Sequence, residues 1–114
     1  MIVTETKEID LGKRVVLEKL VRVAKALADE KRLEVLALIA QQGDVCVCEV
    51  SDTLDISQPL ASKYLKQLRD AGIVQVSKQG RWSIYSLGDT TLIEPFLERL
   101  RNYPLPPIRR CARC

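Results

Sequence analysis

The sequence predicts a mainly α fold with a β-hairpin wing, its elements in the order α-α-α-α-β-β-α. Three observations predict it: apolar residues at helical spacing from Lys13 to Gln42, two further capped helical segments separated by a short turn, and an alternating stretch folded back around Gly80. At 114 residues the chain is one domain by length, with a modest core of the size at which partner subunits often add stability.

Residues 1–12 read as an N-terminal arm. From Lys13, Val16, Leu20, Val23 and Leu27 form one helical stripe, and Leu33, Leu36 and Ile39 form a second. Asp29 between them can cap the second helix, and Gly43 closes it. The segment "CEVSDTLD" places Val50 and Leu54 four apart, a stub of about two turns. Ser57 then caps the next helix, with Pro59 in the first turn where its missing N–H costs nothing. Leu60, Leu65 and Leu68 face inward, and Gly72 ends the helix. "IVQVSKQGRWSIYSL" alternates apolar and polar residues, as a hairpin turning at Gln79 and Gly80 does. A last helix over about 90–102 carries Leu92, Ile93, Phe96, Leu97 and Leu100, more apolar surface than a solitary helix needs. The domain therefore spans 13–102, and 103–114 is an extended tail, "YPLPPIRRCARC" from Tyr103, whose prolines forbid a continuing helix.

Composition excludes several function classes. No apolar run is long enough to cross a membrane and the first residues lack the apolar centre of a signal peptide, so a cytoplasmic protein without a membrane partner is expected. Aromatic residues are only 4%, which argues against base stacking, while a net charge of +3 permits nucleic-acid binding. With no histidine, the commonest general base and most mixed zinc sites are gone, and a cysteine-based enzyme lacks a positioned base. An enzyme is not expected.

A short helix, a tight turn, a polar-faced helix and a hairpin make a winged helix-turn-helix. Ser57, Gln58, Ser62, Lys63 and Lys66 lie on the outward side of the second of these helices, toward its N-terminal end. Glutamine can pair bidentately with adenine, serines reach phosphate or base edges, lysines neutralise phosphate, and a helix N-terminus favours an anion. Lys78 and Arg81 at the hairpin tip suit phosphate or minor-groove contact. One such module covers one half-site of duplex DNA, so the apolar first and last helices are expected to pair with those of a second subunit in a homodimer.

Residues 44–87, with "VCVCEV", "SQPLASKYLKQLRDAGIV" and "KQGRWSIYSL" as their most specific parts and "KALADEKRLEVLALI" before them, resemble the ArsR/SmtB family of metal-responsive repressors. The resemblance covers about 15–100. It implies a homodimeric repressor that needs no cofactor to bind double-stranded operator DNA and releases it when an inducer binds. By position, Ser57, Gln58, Ser62 and Lys63 become DNA contacts and Cys46 and Cys48 become inducer ligands. The arsenic-sensing branch has a third cysteine where this chain has Ser51, and the zinc-sensing branch uses histidines that are absent here.

Four cysteines in a reducing compartment suggest metal ligands, redox sensors or plain core residues in preference to disulfide staples. Trivalent arsenic, or antimony, is soft and commonly takes three thiolates. Cys46 and Cys48 supply two, and the tail offers Cys111 and Cys114, whose neighbours Arg109, Arg110 and Arg113 favour the thiolate. A proline-rich tail of roughly 3 Å per residue has the reach to cross a small dimer. The favoured reading is one site shared between helix and tail cysteines. A separate two-thiol tail site, a cadmium, lead or zinc thiolate site, and a thiol/disulfide switch on the same DNA module are the alternatives. Residues two apart on a helix point about 200° from each other. Chelation by Cys46 and Cys48 is therefore expected to unwind the first turn of their helix and so disturb the recognition helix.

Overall fold

The computed structural model describes residues 3–110. Helix α1 (Val3–Leu27) and α2 (Glu30–Gln42) lead into strand β1 (Asp44–Cys46), α3 (Val47–Leu54), α4 (Gln58–Asp70), strands β2 (Val74–Gln79) and β3 (Trp82–Leu87), a 3-10 turn (Thr91–Ile93) and α5 (Glu94–Leu100). The expected mainly α order with a hairpin wing is present, with one strand added.

α1 begins ten residues before Lys13 because "TETKEIDLGK" is rich in helix-forming Glu and Lys and has no proline, and one internal glycine costs only about 1 kcal/mol. Its apolar stripe divides in two. Val23 and Leu27 are buried, whereas Val16 and Leu20 are 58% and 41% exposed, so the turns of α1 that carry Val16 and Leu20 stand clear of this subunit's core. The Asp29 carboxylate accepts from the Arg32 N–H at 3.0 Å and starts α2. At the other end the Gly43 N–H reaches Ile39 O with φ of 91°, a conformation an L side chain resists. Between these caps Val35 to Ile39 are all buried, because α2 is enclosed by α4, α5 and the sheet. Burying side chains such as Leu36 and Ile39 contributes about 1.5–3 kcal/mol each.

The helix-turn-helix is fastened at Ser51. Its carbonyl accepts from both Asp55 and Ile56 N–H, its hydroxyl donates to Ile56 O at 2.6 Å, and Asp55 takes a left-handed conformation with φ of 56°. Aspartate is among the few side chains that tolerate that geometry. Ser57 accepts from the Leu60 N–H at 3.3 Å and begins α4 as expected. Leu65 and Leu68 are fully buried, but the third inward position is Ala61, fully buried at i−4 from Leu65, with Leu60 only half-buried.

The sheet has the order β1-β3-β2, all antiparallel, with Cys46 opposite Ile84 and Gln79 opposite Trp82. The hairpin loop is thus Gly80 and Arg81, one residue later than the spacing suggested. Gly80 supplies the positive φ of 62° that tight two-residue loops demand. The segment before α5 is held by Asp89, which accepts from the Thr91 N–H at 3.1 Å and pairs with Lys19 of α1 at 3.5 Å. The Thr91 N–H, then the Thr91 hydroxyl and Lys19, hold the Asp89 carboxyl below its ordinary value.

The described part of the tail does not reach away from the domain. Leu105 and Ile108 pack on the core, Gln41 donates to Leu100 O and Tyr103 O, and the Arg109 N–H donates to Thr53 Oγ1 at 2.9 Å. The prolines set an extended path whose apolar residues still find a groove on the same subunit. Cys111 and Cys114 lie outside the described residues.

Candidate functional site

Two groups of residues stand out, one on α4 and the wing and one at the start of α3. On α4, Gln58, Ser62 and Lys66 are spaced by four and form one stripe, with Lys63 beside it. Ser57, Gln58, Lys63 and Lys66 are exposed and Ser62 is half-buried. The wing carries Lys78 and Arg81, both exposed, and the Arg81 guanidinium lies 5.6 Å from the centre of the Trp82 ring, which holds the charge at the loop. Helix stripe and wing thus present amides, hydroxyls and cations.

Arg32 joins this surface to the rest of the fold, a residue whose role its position three after the Asp29 cap did not reveal. It donates to Ala26 O and Lys25 O, both at 2.7 Å, satisfying carbonyls at the end of α1, and to Gln67 Oε1 on α4 at 2.9 Å. One side chain therefore sets α4 against two other helices. Replacing Arg32 with Met should cost about 1–3 kcal/mol, since these are charged hydrogen bonds from a group only 14% exposed, and should be visible in urea denaturation.

The thiols lie where β1 meets α3. Cys46 closes β1 in extended backbone (φ −106°, ψ 170°) and caps α3, while Cys48 lies in its first turn. Cys46 is buried, Cys48 half-buried, and their sulfurs are 3.1 Å apart. The expectation that a helix would splay them is overturned: Cys46 is not helical, so the first turn needs no unwinding for both sulfurs to meet one ion. The Cys46 N–H donates to Glu49 Oε1 at 3.0 Å, and Glu49 is fully buried. Arg110, from the tail, donates to Glu49 Oε1 at 3.3 Å and to Asp44 O at 3.2 Å. Glu49 and its contact with Arg110 were missed in the sequence because nothing local ties residues sixty apart. Among the described residues no cluster of three or more His, Cys, Asp or Glu side chains is placed to hold a metal.

A short helix and turn before a polar-faced helix, followed by a basic wing, define a winged helix-turn-helix DNA-binding transcription regulator. The chain belongs to the arsR family of bacterial regulatory proteins, whose helix-turn-helix model matches residues 29–76. It is 39% identical over 80 residues, 70% of this chain and 76% of the relative, to an arsenical resistance operon repressor of Bacillus subtilis. It is 46% identical over 65 residues to an arsenic resistance transcriptional regulator of Pseudomonas putida, a match spanning 57% of this chain and 51% of that one. Among solved structures, reduced HlyU from Vibrio cholerae superposes with a TM-score of 0.65 at 31% identity, covering 80% of this chain and 92% of that one. A homodimeric winged helix-turn-helix DNA-binding domain from Mycobacterium bovis gives 0.64 at 28%, covering 77% and 76%. Family and fold are those of DNA-binding transcription regulators, not of enzymes. Among the described residues no helix is long and apolar enough to cross a membrane.

Proposed function

We propose that the chain is a cytoplasmic repressor that binds operator DNA as a homodimer and dissociates when trivalent arsenic, as arsenite or a related arsenical or antimonite, binds Cys46, Cys48 and a tail thiol. The observation that carries this reading is the 3.1 Å separation of the two sulfurs at the junction of wing and helix-turn-helix. Thiolate bonds of about 2.3 Å at near-right angles, the geometry of a pyramidal three-sulfur ion, set sulfurs about 3.3 Å apart, and a tetrahedral ion sets them about 3.8 Å apart. The pair as folded is close enough for both sulfurs to share one ion of either kind. Names of relatives point the same way, since those from Bacillus subtilis and Pseudomonas putida concern arsenic.

Cys46 is where inducer binding can reach the DNA surface along two routes. It pairs with Ile84 of β3, whose strand leads back to the wing, and it starts α3, which packs on α4. A displacement there changes wing and recognition helix together, and needs no melting of either.

On the DNA surface, Gln58→Ala should cost about 1–3 kcal/mol and relax the preference at one base pair in each half-site. Arg81→Ala should weaken all sequences alike and lower the salt dependence of binding by about one counterion per subunit. Selection of operators from a random duplex library, then titration at several salt concentrations, separates the two effects.

The inducer is tested by titrating arsenite into the protein–operator complex and following fluorescence anisotropy, with peroxide, cadmium, lead and zinc in parallel. Release by arsenite at stoichiometric concentration is expected. Release by peroxide alone would make the pair a thiol/disulfide switch. Release by cadmium alone would favour a soft divalent ion, a reading that a cadmium resistance regulatory protein homologue of Staphylococcus aureus, 35% identical over 68 residues, keeps in view.

A further inference from the structure

Side chains two residues apart diverge on a helix, and along a strand their α-carbons stand about 6.5 Å apart. Cys46 and Cys48 do neither. Cys46 is extended and Cys48 helical, so their 3.1 Å approach depends on α3 beginning where it does. A carboxylate from the first turn of the helix fixes that start, since Glu49 Oε1 accepts the Cys46 N–H at 3.0 Å. Helices commonly use a glutamate three residues after the cap for this task. Here, however, Glu49 is fully buried, and a carboxylate charge kept out of water is costly unless a cation meets it. Arg110 meets it, donating to the same Oε1 at 3.3 Å. That guanidinium is itself held by Asp44 O at 3.2 Å, the Asp44 carboxylate at 3.7 Å and Gln42 Oε1 at 3.4 Å. The end of α2, strand β1 and the start of α3 are thus tied to one side chain from the tail. The packing of Ile108 and the bond from the Arg109 N–H to Thr53 Oγ1 deliver it there.

We propose that Glu49 is a positioning residue for Cys46 and Cys48, holding the strand-to-helix junction that brings their sulfurs together, and that Arg110 is the counter-charge that keeps Glu49 in place. The use of the pair as an inducer site rests on the thiol reading above, whereas the positioning rests on the described contacts. An arginine suits the task because its forked donors reach a carboxylate, an amide oxygen and a backbone carbonyl at once. The tail thereby acts on the two thiols through Arg110, separately from any ligand it contributes.

The test uses the full chain with Cys111→Ser and Cys114→Ser, so that Cys46 and Cys48 are the remaining thiols. This parent is titrated, without operator, with phenylarsine oxide, a trivalent arsenical with room for two thiolates, and folding is followed by circular dichroism. One equivalent per subunit should bind. Glu49→Leu should weaken binding about tenfold or more with an unchanged spectrum, because the sulfurs are no longer preorganised. Glu49→Gln, whose amide oxygen still accepts the Cys46 N–H, should stay within about threefold of the parent. Arg110→Met should weaken binding where Glu49 is present and its charge is left unpaired, and should add nothing further in the Glu49→Gln background. Equal affinities of the parent and Glu49→Leu, or a Glu49→Gln variant no better than Glu49→Leu, overturn the positioning role. An Arg110→Met effect of the same size in both backgrounds overturns the pairing, and this comparison decides even if Glu49→Leu fails to fold. A parent that binds no phenylarsine oxide overturns the thiol pair and this role with it. Binding that depends on Glu49, in a protein whose wild type arsenite cannot release from its operator, sinks the inducer reading and leaves the positioning role standing.

Discussion

The Cys48→Ser variant should bind its operator within about threefold of the wild type and keep it at arsenite concentrations that release the wild type. Cys48 is half-buried in the first turn of α3 and is not part of the exposed stripe of α4, so the loss of one sulfur removes no group from the DNA surface. What is lost is coupling. For inducer to weaken operator binding roughly a hundredfold it must favour the released state by about 3 kcal/mol, within the range usual for such switches. Two remaining thiols hold a soft ion too weakly to supply that difference. Cys46→Ser should behave alike, although Cys46 is only 1% exposed and its replacement also perturbs the cap of α3. Anisotropy titrations with and without arsenite check both variants, and release of either one at wild-type arsenite concentration would remove the thiols from the mechanism.

The second large effect is expected at the apolar surface that α1 and the last helices share. Leu20, Ala24, Leu92 and Phe96 line a groove whose floor is Val23 and Ile93. Leu20, Leu92 and Phe96 are 41%, 45% and 52% exposed, and Val16 and Leu17 further up α1 are more exposed still. Contiguous apolar surface of this kind marks an interaction site. The combined Leu20→Glu and Phe96→Glu substitutions leave the subunit's own core untouched and place charge in the expected interface. The result should be a folded monomer by analytical ultracentrifugation. Operator affinity should fall by a factor of order 10²–10⁴, because the second half-site contact is no longer intramolecular. A dimer of wild-type affinity would mean that another face joins the subunits.

Much of this was legible in the sequence for local reasons. Asp29, Gly43, Ser57 and Pro59 mark helix ends through chemistry that depends only on near neighbours, and all four stand where that chemistry predicts. The alternation around Gly80 gave the wing, with the loop displaced by one residue. Strand β1 was not legible, because three residues carry no periodicity and its pairing partner lies some forty positions away. Missing it made Cys46 look helical, and the sulfurs therefore look splayed. The tail was misjudged for a related reason. Proline forbids a helix but not packing, and the contacts of Ile108 and Arg110 depend on a surface assembled from distant segments. Ser51, which first appeared as a missing ligand, ties the turn of the helix-turn-helix through Ile56. Its hydroxyl has a structural task that a thiol, a weaker donor, performs less well.

The central claim, a three-sulfur inducer site formed by Cys46, Cys48 and the tail, is tested most directly by X-ray absorption at the arsenic edge. The samples are the arsenite-loaded wild type and a chain truncated before Cys111. Three sulfur neighbours and no oxygen in the wild type, falling to two sulfurs and one oxygen on truncation, is the expected result. Two sulfurs in both samples would contradict the shared site and leave Cys46 and Cys48 to act alone.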